Sequence, residues 1–170
     1  INGNDEYGLQ GEGDSNLYKL FAEKALTIIS KDGMFGMVLP NGIYQDKGAM
    51  ELRKHIFENT NITTLCGFTN TKPIFASGVD SRQKFCVLVS KNGSSTQSFP
   101  SKFMVQDDDA LQIFQTISFV YDLSLIRLTS PDDLTIIECS SNVDYKIFKK
   151  LFKFPLLGND SSPFHPTREL

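Results

Sequence analysis

The 170-residue sequence predicts an α/β layered fold. Three observations carry this. Short apolar runs alternate with segments of helical periodicity from about residue 14 to residue 92. One run, Met34-Phe35-Gly36-Met37-Val38-Leu39, is nearly continuous and stops at Pro40, as a strand buried on both faces of a parallel sheet would. The composition, 40% hydrophobic and 22% charged, suits a packed core.

The elements follow in order. Residues 1 to 13 read as a loop. Asp14 or Ser15 is placed to cap a helix whose apolar positions, Leu17, Leu20, Phe21, Ala25, Ile28 and Ile29, form one stripe. Lys31-Asp32-Gly33 ends it, and the Met34–Leu39 strand follows. Asn41-Gly42 opens a loop. A second helix is expected from about Lys47 to Asn59, with Met50, Leu52, Ile56 and Phe57 apolar and Arg53 and Lys54 solvated. Ile62 to Phe68 reads as a strand, Asn70 to Arg82 as a polar loop, and Lys84 to Ser90 as a third strand. Asn92-Gly93 is a turn signal.

Beyond Gly93 the pattern weakens. Gly93 to Ser101 is rich in serine and threonine and is expected to be exposed. Asp107-Asp108-Asp109 opens a short helix, its acids suited to the helix dipole. Leu125 to Leu128 and Leu134 to Cys139 read as paired strands around Ser130-Pro131-Asp132-Asp133. Asn142 is placed to cap a last helix with Val143, Ile147, Phe148 and Leu151 inward and Lys146, Lys149 and Lys150 outward. The expected division is residues 1–93 and an extension over residues 94–170.

Composition excludes some classes. The formal net charge is −3, whereas a compact domain living on non-specific nucleic-acid contacts is usually basic. A local basic patch remains compatible with it. No apolar run approaches the roughly 20 residues of a membrane span. Cys66, Cys86 and Cys139 match no zinc spacing, and buried free thiols in a reducing cytoplasm are the ordinary reading. No metal site is expected. Ile1 at one end and Thr167-Arg168-Glu169-Leu170 at the other read as cuts through a longer protein.

No complete catalytic constellation emerges from spacing. There is no G-x-G-x-x-G and no P-loop, and Gly11-Glu12-Gly13 has no apolar strand before it. His55 and His165 lie in no ligand or nucleophile pattern. One rule narrows the search: open α/β sheets bind ligands at the carboxyl ends of their strands. It singles out Pro40-Asn41-Gly42 and the loop from Asn70 to Arg82, which carries Lys72, Phe75 and Arg82 and is flanked by Lys84. A basic loop with one aromatic suits a phosphate backbone and a stacked base. On residues alone, a buried core phenylalanine is the ordinary reading of Phe75.

Four segments carry a family resemblance. Asn16-Leu17-Tyr18-Lys19-Leu20-Phe21-Ala22-Glu23-Lys24-Ala25-Leu26 resembles the helix that follows the catalytic motif in gamma-type adenine-N6 DNA methyltransferases. Asp32 to Gly42 resembles that family's next strand and loop, and Lys47 to Lys54 its short helix with a Leu-Arg pair. Gly67 to Phe75, followed by Lys84 to Val89, resembles the last hairpin of that fold. The match covers residues 14 to 92. It is similar in flavour to the large single-chain restriction–modification enzymes (type IIG) and phage-defence methylases of bacteria. A looser resemblance links Ile126 to Phe152 to the connection toward a target-recognition region.

The resemblance implies a partial class I (Rossmann-like) methyltransferase sheet with a small α+β extension. It implies methyl transfer from S-adenosylmethionine to the exocyclic amine of an adenine flipped out of double-stranded DNA. Phe75 falls where the family stacks the flipped ring, and Asn41, Lys72 and Arg82 fall in loops facing DNA. The chain departs from the family in two respects. No Pro-Pro dipeptide and no glycine-rich donor-binding strand occur in it, so no catalytic residue is expected here. Those parts would lie upstream of Ile1, and this polypeptide alone is expected to lack activity and donor affinity. A half-sheet with an open edge would also tend to pair with a second copy. The alternative is a non-catalytic DNA-binding or specificity module with the same half-domain shape.

Overall fold

The computed structural model describes residues 7–11, 16–71, 79–106 and 119–154. The elements are α1 (Leu17–Ile28), β1 (Met34–Pro40), α2 (Gly42–Gln45), a 3-10 turn (Lys47–Ala49), α3 (Met50–Asn59), β2 (Thr60–Phe68), β3 (Phe85–Asn92), β4 (Ser98–Val105), β5 (Phe119–Asp122), α4 (Leu123–Thr129) and α5 (Asn142–Leu151). The five strands form one mixed sheet in the order β1-β3-β2-β4-β5. β3 runs antiparallel between β1 and β2, β4 is parallel to β2, and β5 is antiparallel to β4. The fold is therefore α/β, as the alternation of elements predicts.

One face of the sheet carries the main core. Ala22 of α1, Leu52, Ile56 and Phe57 of α3, and Tyr145 and Phe148 of α5 pack there against Phe35, Leu39, Leu65, Leu88, Phe99 and Phe103. Residues from both sides of Gly93 share this core. A smaller cluster, Cys66, Phe68, Phe85 and Val105, occupies the other face. Met104 explains how β4 serves both. Its φ of 58° and the register shift opposite it turn the strand over, so Phe103 faces the main core and Val105 the smaller cluster.

Several local expectations are corrected. The Met34–Leu39 run is not buried on both faces: among the described residues β1 pairs only with antiparallel β3, and Met34 and Val38 are exposed. The apolar stripe of α1 divides: Leu20, Ala25 and Ile29 are half-buried and Leu17, Phe21 and Ile28 lie on the surface, while Ala22, outside the expected stripe, is buried. Residues 98–105 form a buried strand instead of an exposed stretch. Thr96 and Ser101 are enclosed there, and the Thr96 hydroxyl donates to Thr60 O at 2.6 Å and accepts from the Ile62 amide at 3.0 Å.

Leu125–Leu128 is helical, which places Leu123 and Ile126 three residues apart on the same core. Residues 134–139 form no ladder, because their backbone groups are taken elsewhere. Ile136 N–H donates to Tyr44 O, and the Tyr121 hydroxyl accepts from Cys139 N–H and donates to Ile137 O. α5 is capped by Ser141 in a reciprocal box with Asp144. It turns Tyr145 and Phe148 inward and leaves Val143, Ile147 and Leu151 exposed. The expected caps Asp14 and Ser15, and the helix expected after Asp107, lie outside the described residues.

Arg53 is buried, at 2% exposure, and not solvated. Its guanidinium donates to Ile43 O and Asp46 O beside α2, and twice to Asp133 O in the extension. Burial lowers its pKa to about 10, partly offset by Asp133 and Asp46, so it remains charged at neutral pH.

Candidate functional site

The register brings one end of the sheet together. Pro40 of β1 and Phe68 of β2 both pair with Phe85, the first residue of β3, and Phe68 also pairs with Val105 at the end of β4. The carboxyl ends of β1, β2 and β4 thus converge, with Asn41 and the loop from Asn70 to Arg82 at that same end. The two segments singled out by the carboxyl-end rule are neighbours.

Local bonds shape this end. The Asn41 amide donates to Lys84 O at 3.3 Å, which ties the start of α2 to the start of β3. Asn41 Nδ2 donates to Gln45 Oε1 at 2.6 Å. At the neck of the β2–β3 loop, the buried Asn70 side chain donates to Asp80 O at 3.2 Å, and Gln83 N–H donates to the same carbonyl at 2.9 Å. The Asn70 bond crosses the neck and joins the end of β2 to the segment that leads into β3.

An open cleft of about 480 Å³ lies here, lined by Asn41, Asp80, Arg82, Gln83 and Lys84. Arg82 is 89% exposed and pairs with Asp80 at 2.6 Å. The guanidinium holds the Asp80 carboxyl below its usual range, and Asp80 raises Arg82 in turn. Lys84 donates to Glu138 at 2.6 Å, and the other oxygen of Glu138 accepts from the Tyr44 hydroxyl at 2.6 Å. Burial first, and the bond to Glu138 second, push the Tyr44 hydroxyl well above its ordinary pKa. Tyr44 reaches this place because Gly67 of β2 has no side chain: a Cβ there would sit 2.6 Å from Phe103 and 2.9 Å from the Tyr44 hydroxyl.

Of the predicted site residues, Asn41 and Arg82 are brought together on the cleft. Lys72 and Phe75 lie outside the described residues. Asp80, Tyr44 and Glu138 were not found from sequence. Glu138 stands 54 residues from Lys84 and 94 from Tyr44, and no spacing signal links them. The cleft offers an ammonium, a guanidinium paired with the Asp80 carboxylate and two side-chain amides, donors suited to a phosphate or a polar base edge. Among the described residues no cluster of His, Cys, Asp and Glu is arranged to hold a metal ion. No described helix is long and apolar enough to cross a membrane.

The comparisons agree with this architecture. Residues 2–75 match the profile of the Eco57I restriction-modification methylase family. The fold is similar to that of the EcoKI M protein, a type I restriction enzyme component, with TM-score 0.59 and 12% identity over 82% of this chain and 43% of that one. It is also similar to a modification subunit of a putative type I restriction enzyme from Vibrio vulnificus, with TM-score 0.56 and 12% identity over 72% of this chain and 30% of that one. A type I restriction-modification methyltransferase subunit from Streptococcus thermophilus gives TM-score 0.55 and 13% identity over 78% of this chain and 32% of that one. The chain spans less than half the length of each. No curated protein sequence matches significantly. The chain is thus restriction–modification methyltransferase-like over residues 2–75, and its described fold is similar to part of such subunits.

Proposed function

We propose that this chain is part of a site-specific DNA adenine-N6 methyltransferase of a restriction–modification or phage-defence system. The carrying observation is the methylase profile over residues 2–75, which takes in Asn41 and reaches Lys72 and Phe75 in the first half of the loop. The closed neck below that loop supports the reading, because a loop that stacks a base needs a fixed root. In this reading Phe75 stacks the flipped adenine, and Asn41, Lys72 and Arg82 contact DNA. The enzyme acts in the cytoplasm on double-stranded DNA.

The methyl donor is S-adenosylmethionine, which supplies the electrophilic methyl group. The residues here do not fit a donor site: the sequence holds no glycine-rich strand-to-helix turn of that kind and no Pro-Pro dipeptide. No step through the donor is assigned to these residues. β1 has one unpaired edge among the described residues, with exposed Met34 and Val38 beside it and Leu17, Phe21 and Ile28 exposed on α1. Further strands of the same sheet would cover that edge in the intact enzyme. In the isolated chain a second copy pairs there, giving a dimer visible by analytical ultracentrifugation.

The test is methyl transfer by the intact protein. Duplex DNA is incubated with labelled S-adenosylmethionine and digested to nucleosides, and N6-methyl-2′-deoxyadenosine is the expected product. Methylcytosine, or no transfer, overturns the reading. Phe75→Ala should lower turnover by an amount equivalent to about 1–3 kcal/mol with the fold retained. Unfolding without a separate catalytic defect would make Phe75 a core residue.

A further inference from the structure

The lysine of the cleft is held from behind by a residue from the other end of the chain. The Glu138 side chain is 7% exposed and uses both carboxylate oxygens, one for the Tyr44 hydroxyl and one for Lys84 Nζ, each at 2.6 Å. Its own segment is fixed on either side. Ile136 N–H donates to Tyr44 O at 3.0 Å, and Cys139 N–H donates to the Tyr121 hydroxyl at 2.9 Å. Tyr121 is itself fully enclosed in the aromatic core. The carboxylate is therefore a post set in packed structure.

Lys84 stands at the boundary. Its side chain is 36% exposed and lines the cleft, and an ammonium has three donors of which Glu138 takes one. The other pair of the cleft is built differently. Arg82 and Asp80 are two residues apart and both exposed, so that pair is local and ties Arg82 to no distant part of the chain.

We propose that Lys84 is a phosphodiester contact of the cleft and that Glu138 is its positioning residue. This rests on the reading of the cleft as facing DNA. A lysine ordinarily loses much rotamer freedom when it grips a ligand. Here that loss is taken on folding, so a phosphate meets an ammonium already in place. The extension contributes to DNA binding through Glu138, which acts by way of Lys84 and not by its own contact with DNA.

The proposal makes an outcome opposite to bare electrostatics. Deleting an acid beside a DNA surface should tighten binding if charge alone matters. If Glu138 positions Lys84, Glu138→Ala weakens binding although the protein becomes more positive. The experiment is fluorescence anisotropy of the intact protein with a labelled duplex across a series of salt concentrations. Lys84→Gln is expected to reduce the salt slope by about one, the signature of one lost phosphate contact. Glu138→Ala is expected to weaken binding about five-fold, on the scale of one ordinary hydrogen bond. It should also lose most of the slope that Lys84→Gln removes. Glu138→Gln keeps a hydrogen-bonding side chain of the same length and should restore most of the affinity. The double variant should bind like Lys84→Gln alone, since Glu138 acts through Lys84.

Should Glu138→Ala fail to fold, Glu138→Asp decides: it keeps the charge but draws the post back, so weaker binding supports positioning and wild-type affinity overturns it. An unchanged salt slope for Lys84→Gln overturns the phosphate contact. So does Glu138→Ala binding as tightly as wild type or tighter. Failure of the parent reading looks different, because the wild-type protein would then not bind duplex DNA even at low salt.

Discussion

Phe68 and Phe85 face each other across β2 and β3, their ring centroids 4.9 Å apart and their planes 2° apart. They form the last paired rung before the β2–β3 loop, so the stack is the floor of its neck. With Cys66 and Val105 they make the small cluster on the second face of the sheet. Phe85→Ala is expected to destabilise the fold by about 3 kcal/mol through lost burial and a residual cavity. Phe85→Leu keeps most of the volume and should cost about 1 kcal/mol. Urea titration measures both, and amide exchange at Thr69 and Gln83 should speed up in the leucine variant. Wild-type stability in Phe85→Ala would mean the neck is held by its hydrogen bonds alone.

Arg53 joins three carbonyls from two distant segments of the chain. Ile43 O and Asp46 O lie beside α2, and Asp133 O lies in the extension. Arg53→Ala leaves them without this donor in a closed setting, at an expected cost of about 2–4 kcal/mol. Arg53→Lys should recover little, because one ammonium cannot reproduce a planar fork. Limited proteolysis gives the specific readout: cleavage around Asp133 should rise before global unfolding. Equal protease resistance in Arg53→Ala would show that Arg53 does not hold the Asp133 segment in place.

The phase of α5 yields a third prediction. Tyr145 and Phe148 face the core, while Val143, Ile147 and Leu151 are exposed. Phe148→Ala should cost about 3 kcal/mol, as core phenylalanine truncations do. Ile147→Ser should stay within about 0.5 kcal/mol of wild type, as surface changes do. The reverse order in thermal melts would return the helix to the orientation its leucines and isoleucines suggest.

That helix also shows where the sequence was legible and where it was not. β1, β2 and β3 stand within two residues of their expected bounds, because each is a compact apolar run between turn signals. The neighbourhood of Asn41 and the Asn70–Arg82 loop followed from the carboxyl-end rule alone. The phase of α5 did not, since aliphatic and aromatic positions compete for one inward face and the core at Phe119 and Tyr121 is aromatic. β4 was hidden because Thr96 and Ser101 read as polar surface, although Thr96 is satisfied by backbone partners inside the core. The Lys84–Glu138–Tyr44 arrangement joins residues from three distant parts of the chain, and pairing at that range leaves no local pattern.

The buried thiols and phenols give the last prediction, a loss of stability in alkali. Burial pushes the Cys66 thiol up to about 12 and shifts Cys86 upward as well. The Tyr44 and Tyr121 hydroxyls move in the same direction, again chiefly by burial. In the unfolded chain these thiols ionise near 9.0, the ordinary value of a thiol. Between about pH 9 and 12 the folded protein therefore holds protons that the unfolded chain has released, and stability must fall as pH rises through that window. The contribution is fully present below about pH 9. The urea midpoint at pH 10.5 is expected to lie below that at pH 8, and Cys66→Ala should narrow the difference. The same burial makes Cys66 and Cys86 inert to a thiol reagent in the native state, so labelling should follow the rate of unfolding. Equal midpoints at the two pH values, or rapid native-state labelling of either cysteine, would show that this core admits hydroxide or reagent and is not closed.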